Sequence, residues 1–357
     1  MASLSVIVPT YRRPSLLRRA VASALGQTYR DLVVIVFDNA SGDETESVVA
    51  AFASRDARVR YVCRDRNVGG PANFARALDE ITTPYFAFLS DDDALFPRCY
   101  ETCFRGFAAA PDALMSAAST LEMDASGSVR FAPLGLWPRD GVYRPPESIL
   151  RMLDNRHPTW TSVVFKRDAL SLVGGLDLEV GPPSDLDFEL RIAARFPVVI
   201  DRTPSAVFSA HAASNTARQD AAVADGMLLI ANKLAADVRI PAPIRAAVGP
   251  RLARQIRWKL FEVCVKALVR GDDSVAREAL ARLRGRGDGG VLRLICGLLV
   301  AACRNVPGVR ALLRSAERAR LAARARRAAA TLAGRDLQSD LRWLDSIAGG
   351  PEAKTQA

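Results

Sequence analysis

Residues 4–41 read LSVIVPTYRRPSLLRRAVASALGQTYRDLVVIVFDNAS and contain two short apolar runs separated by a helical pattern. The runs at residues 4–8 and 33–37 are rich in valine and isoleucine, which favour strands. Between them, apolar residues recur at helical spacing over residues 15–26, behind Pro14, a residue that the first turn of a helix tolerates. Two strands joined by a helix of this length form a βαβ crossover unit, so the strands are predicted to be parallel.

The same alternation continues through the first 220 residues, with further strand candidates at 59–63 and 85–89. After about residue 220 the strand signals fade. Apolar residues there fall into helical stripes, namely Leu252, Ile256, Leu260, Val263 and Ala267, then Val275, Leu280 and Leu283, then Leu337, Leu341 and Leu344. The predicted fold class is α/β, with a mainly parallel sheet and an all-helical C-terminal region. We predict a domain over residues 1–220, a helical region over 221–347 and a flexible tail over 348–357.

Charge is distributed unevenly along the 357 residues, whose formal net charge is +10. Residues 1–220 hold 24 lysines and arginines against 27 acids, whereas the remaining 137 residues hold 25 against 12. The longest apolar run, residues 294–303, is far shorter than the roughly 20 residues that span a bilayer, and the first ten residues lack the order of a signal peptide. We therefore expect a cytoplasmic protein. Six cysteines without a C-x-x-C pair and only two histidines indicate neither a zinc site nor a disulfide framework.

The loop that follows the first strand candidate, residues 9–14, reads PTYRRP. A dinucleotide-binding Rossmann site would need G-x-G-x-x-G here, so NAD is not an expected cofactor. Polar, aromatic and basic side chains can still bind a nucleotide, with Tyr11 stacking on the base while Thr10 and Arg12 reach its edge or its phosphates. A plain β-to-α turn would look similar, so this loop alone leaves both interpretations open.

The second strand candidate ends in Asp38-Asn39-Ala40-Ser41. Ligands of open α/β sheets bind beyond the carboxyl ends of the strands, where Asp38 can accept a hydrogen bond from a base or a ribose. Asp38 and Ser41 could equally cap the helix that starts near Asp43. The loop by itself favours neither role.

Three adjacent carboxylates, Asp91, Asp92 and Asp93, follow the apolar run at residues 85–89. Their mutual repulsion calls for an opposing charge, which a hard cation with oxygen ligands supplies. Such a cation would also bridge diphosphate oxygens and neutralise the charge of a leaving nucleotide. The alternative for an isolated acidic triplet is a solvated turn.

A second acidic segment, Ser184-Asp185-Leu186-Asp187, precedes a helical pattern at residues 186–195. A carboxylate at the start of a helix is either an N-cap or a placed general base. This stretch alone does not distinguish the two roles for Asp185.

Taken in order, these segments resemble the family-two glycosyltransferases, which have the GT-A fold, over residues 3–215. The matching segments are Ser5-Val6-Ile7-Val8-Pro9-Thr10-Tyr11, Gln27-Thr28-Tyr29, Asp38-Asn39-Ala40-Ser41, Arg66-Asn67-Val68-Gly69-Gly70, the D-x-D-like Asp91-Asp92-Asp93, Gly174-Gly175-Leu176-Asp177 and Ser184-Asp185. Two positions depart from the family pattern: Asn39 stands where many members have a second aspartate, and Ser184 replaces a glutamate. The fold that the resemblance implies is a Rossmann-like nucleotide-binding sheet.

The resemblance also implies an inverting transfer of a sugar from a nucleotide-diphosphate donor, with UDP-sugars favoured, to an acceptor hydroxyl. Asp185 would be the catalytic base, and Mg²⁺ or Mn²⁺ would be the cofactor. The implied metal ligands are Asp91, Asp92, Asp93 and, as a late contact, His211. The implied nucleotide-binding residues are Pro9, Thr10, Tyr11, Arg12, Asp38, Asn67, Gly69 and Asp91. The acceptor would be a glycan, a lipid-linked molecule or a small molecule.

Two other functions fit parts of the sequence. A nucleotidyltransferase also uses an α/β sheet and metal-bound acids, but it should show a glycine-rich loop for a triphosphate, and residues 9–14 contain no glycine. A catalytically inactive sugar-nucleotide-binding module is the second alternative. Nucleic acid is not an expected partner, because the basic helices lack interleaved aromatic residues. Those C-terminal helices, with seven arginines between residues 310 and 327, either touch an anionic membrane peripherally or are simply solvated.

Overall fold

The computed structural model describes residues 3–124, 126–210, 220–284 and 290–348. Within these residues one sheet contains the strands β1 (Leu4–Thr10), β2 (Leu32–Asp38), β3 (Val59–Cys63), β4 (Tyr85–Phe88), β5 (Ala94–Leu95), β6 (Met115–Asp124), β7 (Val129–Phe131), β8 (Gly141–Tyr143), β9 (Val163–Lys166) and β10 (Val198–Ala210). Its order is β3-β2-β1-β4-β9-β6-β10-β5, with β7 paired to β6 and β8 to β10. The four strands predicted in the first 90 residues are confirmed to within two residues at each end.

The first four strands form a parallel block in which β2 and β4 flank β1 while β3 pairs with β2. Both β1 and β2 are buried along their whole length, since helices cover both faces of the sheet, which explains their continuous apolar sequence. The chain builds from β1 through β2 to β3 and then returns to the other side of β1 with β4. The order therefore reverses between β1 and β4, and in open α/β sheets a crevice for ligands opens at such a point.

The second half of the sheet is mixed. Strand β9 runs antiparallel to β4 and β6, whereas β6 and β10 are parallel. The register between β10 and β6 shifts between Ile200 and Ala206, and the far part of β10 pairs with the short β5. Because β5 directly follows the acidic triplet, this pairing holds the loop of residues 91–93 against the sheet.

Helices cover both faces of the sheet. They are α1 (Pro14–Leu25), α2 (Thr45–Ala53), α3 (Gly70–Glu80), α4 (Cys99–Ala109), α5 (Glu147–Arg151), α6 (Asp168–Val173), α7 (Ser184–Ala193), α8 (Asp220–Ala236), α9 (Ala242–Arg270), α10 (Asp273–Arg284), α11 (Gly290–Asn305), α12 (Val309–Leu332) and α13 (Gln338–Ala348). One core joins α1, α2 and α4 to the face that carries Val6 and Val8. A second core joins α3, and the helices from α5 through α11, to the face that carries Ile7. The two cores use alternate residues of β1 because successive side chains of a strand point to opposite faces of the sheet.

The prediction that the chain becomes helical after about residue 220 is confirmed for the described residues. All five members of the first predicted stripe are buried on α9, which ends at Gly271 in the left-handed conformation that glycine favours. In the second stripe Leu280 and Leu283 are buried, but Val275 is 38% exposed, so the prediction is wrong there. The reason is that the buried face of α10 runs through Ala276, Ala279, Leu280 and Leu283, and Val275 lies beside that face.

The last helices return to the sheet. Helix α13 packs on α1, where the Trp343 ring lies only 2.5 Å from the point at which a Cβ on Gly26 would stand. Helix α12 packs along β7, and Arg324 forms an ion pair with Glu122 of β6. None of the helices in the described ranges has the length and apolar character needed to cross a bilayer.

Candidate active site

The crevice between β1 and β4 opens into a cavity of about 1210 Å³. Thr10 and its neighbours line it after β1, residues 90–93 line it after β4, and Asp185 lines it from α7. At the strand ends the Thr10 hydroxyl donates a hydrogen bond of 2.8 Å to Asp91 Oδ2, which ties the two loops together. The structure therefore brings three predicted metal ligands, Asp91, Asp92 and Asp93, and the predicted base Asp185 to one cavity.

Asp38 lies at the end of β2 but does not line this cavity. It is buried, and it accepts hydrogen bonds from the Ser41 hydroxyl at 2.5 Å and from the Tyr61 hydroxyl at 2.7 Å. Burial and then this contact with Asp38 raise the pKa of Tyr61 above its ordinary value. The neighbouring Asn39 lines the cavity instead, and its side-chain carbonyl accepts from the Val68 N–H at 2.9 Å. The hydrogen bonds that Asp38 accepts brace the loop that presents Asn39, and the predicted nucleotide contact of Asp38 stays a prediction.

Two adjacent arginines follow β1 and point to different places. Arg12 has a positive φ of 55°, and its backbone N–H and Nε both donate to Ser41, at 2.8 and 3.1 Å, so it ties the first loop to the second and does not line the cavity. Arg13 does line the cavity, and its Nη1 donates to Asp91 at 3.2 Å and to Asp92 at 3.0 Å. Sequence reasoning assigned a nucleotide contact to Arg12 and missed Arg13, because the arginine doublet gives no signal for which side chain turns inward.

The segment after β3 forms one wall of the cavity. Asn67 and Gly69 both line it, and the Gly69 N–H donates to the Asn67 side chain at 2.8 Å. Gly69 has a φ of 87°, a conformation that L side chains rarely adopt. The wall continues into the first turn of α3, whose free backbone N–H groups favour a negatively charged ligand. The structure thus places both predicted residues where they can contact a nucleotide.

The three acids after β4 differ in their surroundings. Asp93 is almost completely buried and accepts hydrogen bonds from Thr161 Oγ1 at 2.5 Å and from the Ser209 N–H at 3.0 Å. Burial and then the charge of Asp92 raise the pKa of Asp93 to about 7. Burial also raises the pKa of Asp91, against the effects of its bonds to Thr10 and Arg13. Asp93 therefore supports the loop from inside, whereas Asp91 and Asp92 present oxygens to Arg13.

The donor chemistry of Asp91 and Asp92 fits a small hard cation. In the described residues no three acids, histidines or cysteines are arranged to hold a metal by themselves. Mg²⁺, however, is usually held by one or two carboxylates together with substrate phosphates, so a complete protein cage is not required. One oxygen of Asp91 and one of Asp92 contact the same nitrogen of Arg13, so both face one point in the cavity. His211, the fourth predicted ligand, lies outside the described residues.

Asp185 is the second residue of α7 and faces the cavity. The N-cap of this helix is Pro183, so Asp185 is not the cap, and its Oδ1 accepts from the Leu186 N–H at 2.7 Å. Asp185 is exposed to the cavity. Its pKa is raised above the ordinary value, because the loss of solvation near the protein atoms around it outweighs the opposing effect of the charge of His157. A carboxylate that is accessible from a cavity and has a raised pKa suits proton abstraction.

One helical turn further, Glu189 is completely buried. His157 Nδ1 is 3.8 Å from Glu189 Oε2, too long for a hydrogen bond, and the Trp160 N–H lies near the carboxyl without completing one of normal geometry. Burial, and then the charge of Asp185, raise the pKa of Glu189 well above its ordinary value. Ionisation of Glu189 is therefore less favourable than that of an exposed glutamate, because it would place a second negative charge beside Asp185 inside the protein. Sequence reasoning missed Glu189 and His157, although the four-residue spacing to Asp185 was visible.

Comparisons with known proteins concern the family and the fold of the chain. The sequence profile described as Glycosyl transferase family 2 matches residues 5–171. A relative from Campylobacter jejuni, GalNAc(5)-diNAcBac-PP-undecaprenol beta-1,3-glucosyltransferase, is 39% identical over 103 residues, which is 29% of this chain and 33% of that protein. The chain thus matches about a third of the length of this curated relative.

Two solved structures share the fold over most of the chain. Staphylococcus aureus TarS 1-349 in complex with UDP-GlcNAc has a TM-score of 0.63 at 14% identity, with 89% of this chain and 92% of that chain covered. Mannosyltransferase PcManGT from Pyrobaculum calidifontis, in complex with GDP-Man and Mn²⁺, has a TM-score of 0.53 at 20% identity, with 87% and 84% covered. At these identities the likeness concerns the fold.

A mainly parallel sheet with an acid-lined cavity at its switch point and a helical C-terminal region gives the chain the GT-A fold that these two glycosyltransferase structures share. The family 2 profile matches just under half of the chain, and its segment contains the β1, β2 and β4 loops of the cavity. This match favours a glycosyltransferase over the nucleotidyltransferase alternative.

Proposed function

We propose that this protein transfers a sugar from a nucleoside-diphosphate donor, a UDP-sugar in the first place, to an acceptor hydroxyl with inversion at the anomeric carbon. The observation that carries the proposal is the placement of Asp91, Asp92 and Asp185 on one cavity that is large enough for a nucleotide sugar and part of an acceptor. The UDP-GlcNAc complex of the structurally similar TarS supports a UDP-sugar donor.

In the proposed reaction, the ionised Asp185 accepts the proton of the acceptor hydroxyl. The acceptor oxygen then attacks the anomeric carbon, and the bond from that carbon to the β-phosphate oxygen breaks on the opposite face. The electron pair leaves with the nucleoside diphosphate. Glu189 is completely buried and does not line the cavity, so it does not compete with Asp185 as the base.

The donor side would be held by the loops at the switch point. Tyr11 is 37% exposed beside the cavity and can stack on the base, and Asn39 and Asn67 offer amide groups to its edge or to the ribose. Asp91 and Asp92 would hold Mg²⁺ or Mn²⁺, which supplies positive charge to the diphosphate when it is bound. Arg13, which contacts both acids, would add a second positive charge.

The chemical class of the acceptor is also part of the proposal. The Campylobacter relative is named for a PP-undecaprenol acceptor, which supports a lipid-linked hydroxyl acceptor and a place at the cytoplasmic face of a membrane. We also propose that residues 1–220 are the catalytic domain and that 221–347 are the acceptor-side helical region. Of the predicted tail, residues 348–357, only the first lies within the described residues.

The test is a panel of nucleotide sugars with Mn²⁺, with released nucleotide and product mass as the readouts, for wild type and Asp185→Asn. The variant should bind donor and remain folded, but its transfer should fall by about 10²–10⁴-fold, since an amide takes up no proton. Asp168→Asn, an exposed carboxylate in the first turn of α6, is the matched control. Donor binding without transfer by the wild type would instead indicate an inactive binding module, and wild-type transfer by Asp185→Asn would exclude it as the base.

A further inference from the structure

Helix α11 carries an apolar face that no described part of the chain covers. Val291, Leu294, Ile295 and Leu298 follow the spacing i, i+3, i+4 and i+7, which places them on one side of the helix. They are 72%, 62%, 38% and 62% exposed. Leu312, at the start of α12, is 71% exposed. Large exposed side chains of this kind are usually scattered singly, so a row of them on one helix indicates an interaction surface.

The other sides of α11 explain where this face lies. Cys296 is completely buried, and Leu299 and Val300 pack against the core that contains α9. Leu292, next to the exposed row, lines the catalytic cavity together with the 55% exposed Trp258 of α9. The apolar face is therefore next in the chain to a residue of the cavity wall.

The charge around this face is strongly positive. Residues 290–332 contain nine arginines and a single acid, Glu317. Some of these arginines are bound within the protein, since Arg310 pairs with Asp273, Arg320 with Glu317 and Arg324 with Glu122. The exposed side chains of α11 and the first turns of α12 also include Arg293, Arg304, Arg314 and Arg318. On α11, Arg293 and Arg304 lie to one side of the apolar row and not within it, so the basic side chains border the row.

We propose that this face, defined by Val291, Leu294, Ile295 and Leu298, lies in the headgroup region of an anionic bilayer and turns the cavity mouth towards the membrane. Apolar side chains flanked by arginines are the composition of helices that lie in a membrane interface. A two-fold contact of this face with a second copy would bring two sets of arginines together, which charge repulsion opposes. The inference deepens the proposed function, on which it rests for the identity of the acceptor as a lipid-linked molecule.

The experiment is flotation of the full-length protein with vesicles of phosphatidylcholine alone or of equal parts phosphatidylcholine and phosphatidylglycerol. The wild type should float with the anionic vesicles and be released at high salt, because the attraction of the arginines is screened. The double variant Leu294→Glu/Leu298→Glu should bind them at least about tenfold more weakly, since it removes two inserted side chains and adds two negative charges. Val238→Glu changes an 82% exposed apolar side chain elsewhere and should bind as wild type.

Two further readouts separate this inference from the proposed function. Donor binding and transfer to a short soluble acceptor should be the same in the double variant and the wild type, because neither leucine lines the cavity. Failure of the wild type to bind anionic vesicles, or equal binding by the double variant, would overturn the membrane face and leave the transferase proposal standing. A wild-type dimer that the double variant turns into a monomer, measured by light scattering, would identify a second copy as the occupant instead.

Discussion

Glu189 makes a sharp prediction about the chemistry around the proposed base. Its carboxyl is buried without a completed hydrogen bond, and its pKa is raised well above 4.5. The folded protein therefore holds this proton more tightly than the unfolded chain. The stabilising contribution of the proton is fully present below the unfolded pKa and is lost as pH rises towards the folded pKa, by at most about 1.4 kcal/mol per pH unit.

Glu189→Gln removes this titration and keeps the shape of the protonated carboxyl. Between pH 5 and pH 7 the free energy of unfolding of the variant should therefore rise relative to that of wild type, by up to about 2.7 kcal/mol. The assay is urea unfolding at several pH values. Asp91, Asp93 and Asp187 also have raised pKa values, but they are present in both proteins and cancel in the difference. Asp185 interacts electrostatically with Glu189, so the difference reports the titration of the pair.

The matched control is Glu46→Gln, an exposed glutamate in the first turn of α2, which should show no such divergence. Transfer by Glu189→Gln at pH 7 should stay within about threefold of wild type, because Glu189 is buried outside the cavity lining and the amide keeps the shape of the carboxyl. Parallel stability curves for the variant and the wild type would refute a protonated Glu189. A loss of transfer as large as that of Asp185→Asn would show that Glu189 carries the functional charge.

Three further changes test the rest of the site. Asp92→Asn should lower transfer by about 10²-fold or more, because it removes one ligand charge from the cation. EDTA should lower the transfer by wild type to a similar extent. Activity that survives both changes would remove the metal from the proposal. Wild-type turnover should recover when Mn²⁺ is added back after EDTA, measured by released nucleotide. Gly226→Ala should lower the free energy of unfolding by about 3 kcal/mol or more. The added Cβ would lie 2.1 Å from the carbonyl oxygen of Val180 and 2.7 Å from Pro183, in the loop that leads to Asp185. A melting temperature unchanged by this substitution would show that α8 can move away from that loop.

Local sequence signals were sufficient for the elements that hold the site. The strands before Thr10, Asp38 and Asp91 were visible because buried parallel strands need continuous runs of apolar residues. The polar residues after those runs were recognisable for the same reason, since the change from apolar to polar marks where a strand leaves the core. Asp185 could be placed at a helix start from the pattern that follows it, and the structure has it as the second residue of α7.

The direction in which each side chain points was beyond the reach of the sequence. Arg12 and Arg13 are adjacent and chemically identical, yet the positive φ of Arg12 sends it to Ser41 and leaves Arg13 to contact the acids. Asp38 looked like the ligand of its loop, but its oxygens are used by Ser41 and Tyr61, and Asn39 lines the cavity. These outcomes depend on contacts between segments that are distant in the chain.

By itself, the sequence determined the α/β class, the order of the first four strands along the chain and the family pattern of acids, because each depends on residues that are neighbours in the chain. Only the tertiary structure decided that β4 pairs beside β1, which creates the switch point at which Thr10 meets Asp91. It also decided the burial of Glu189 behind Asp185 and the exposure of the apolar row on α11. Burial depends on which faces of distant helices come together, and helical spacing alone cannot distinguish a face that packs on a core from one that remains outside.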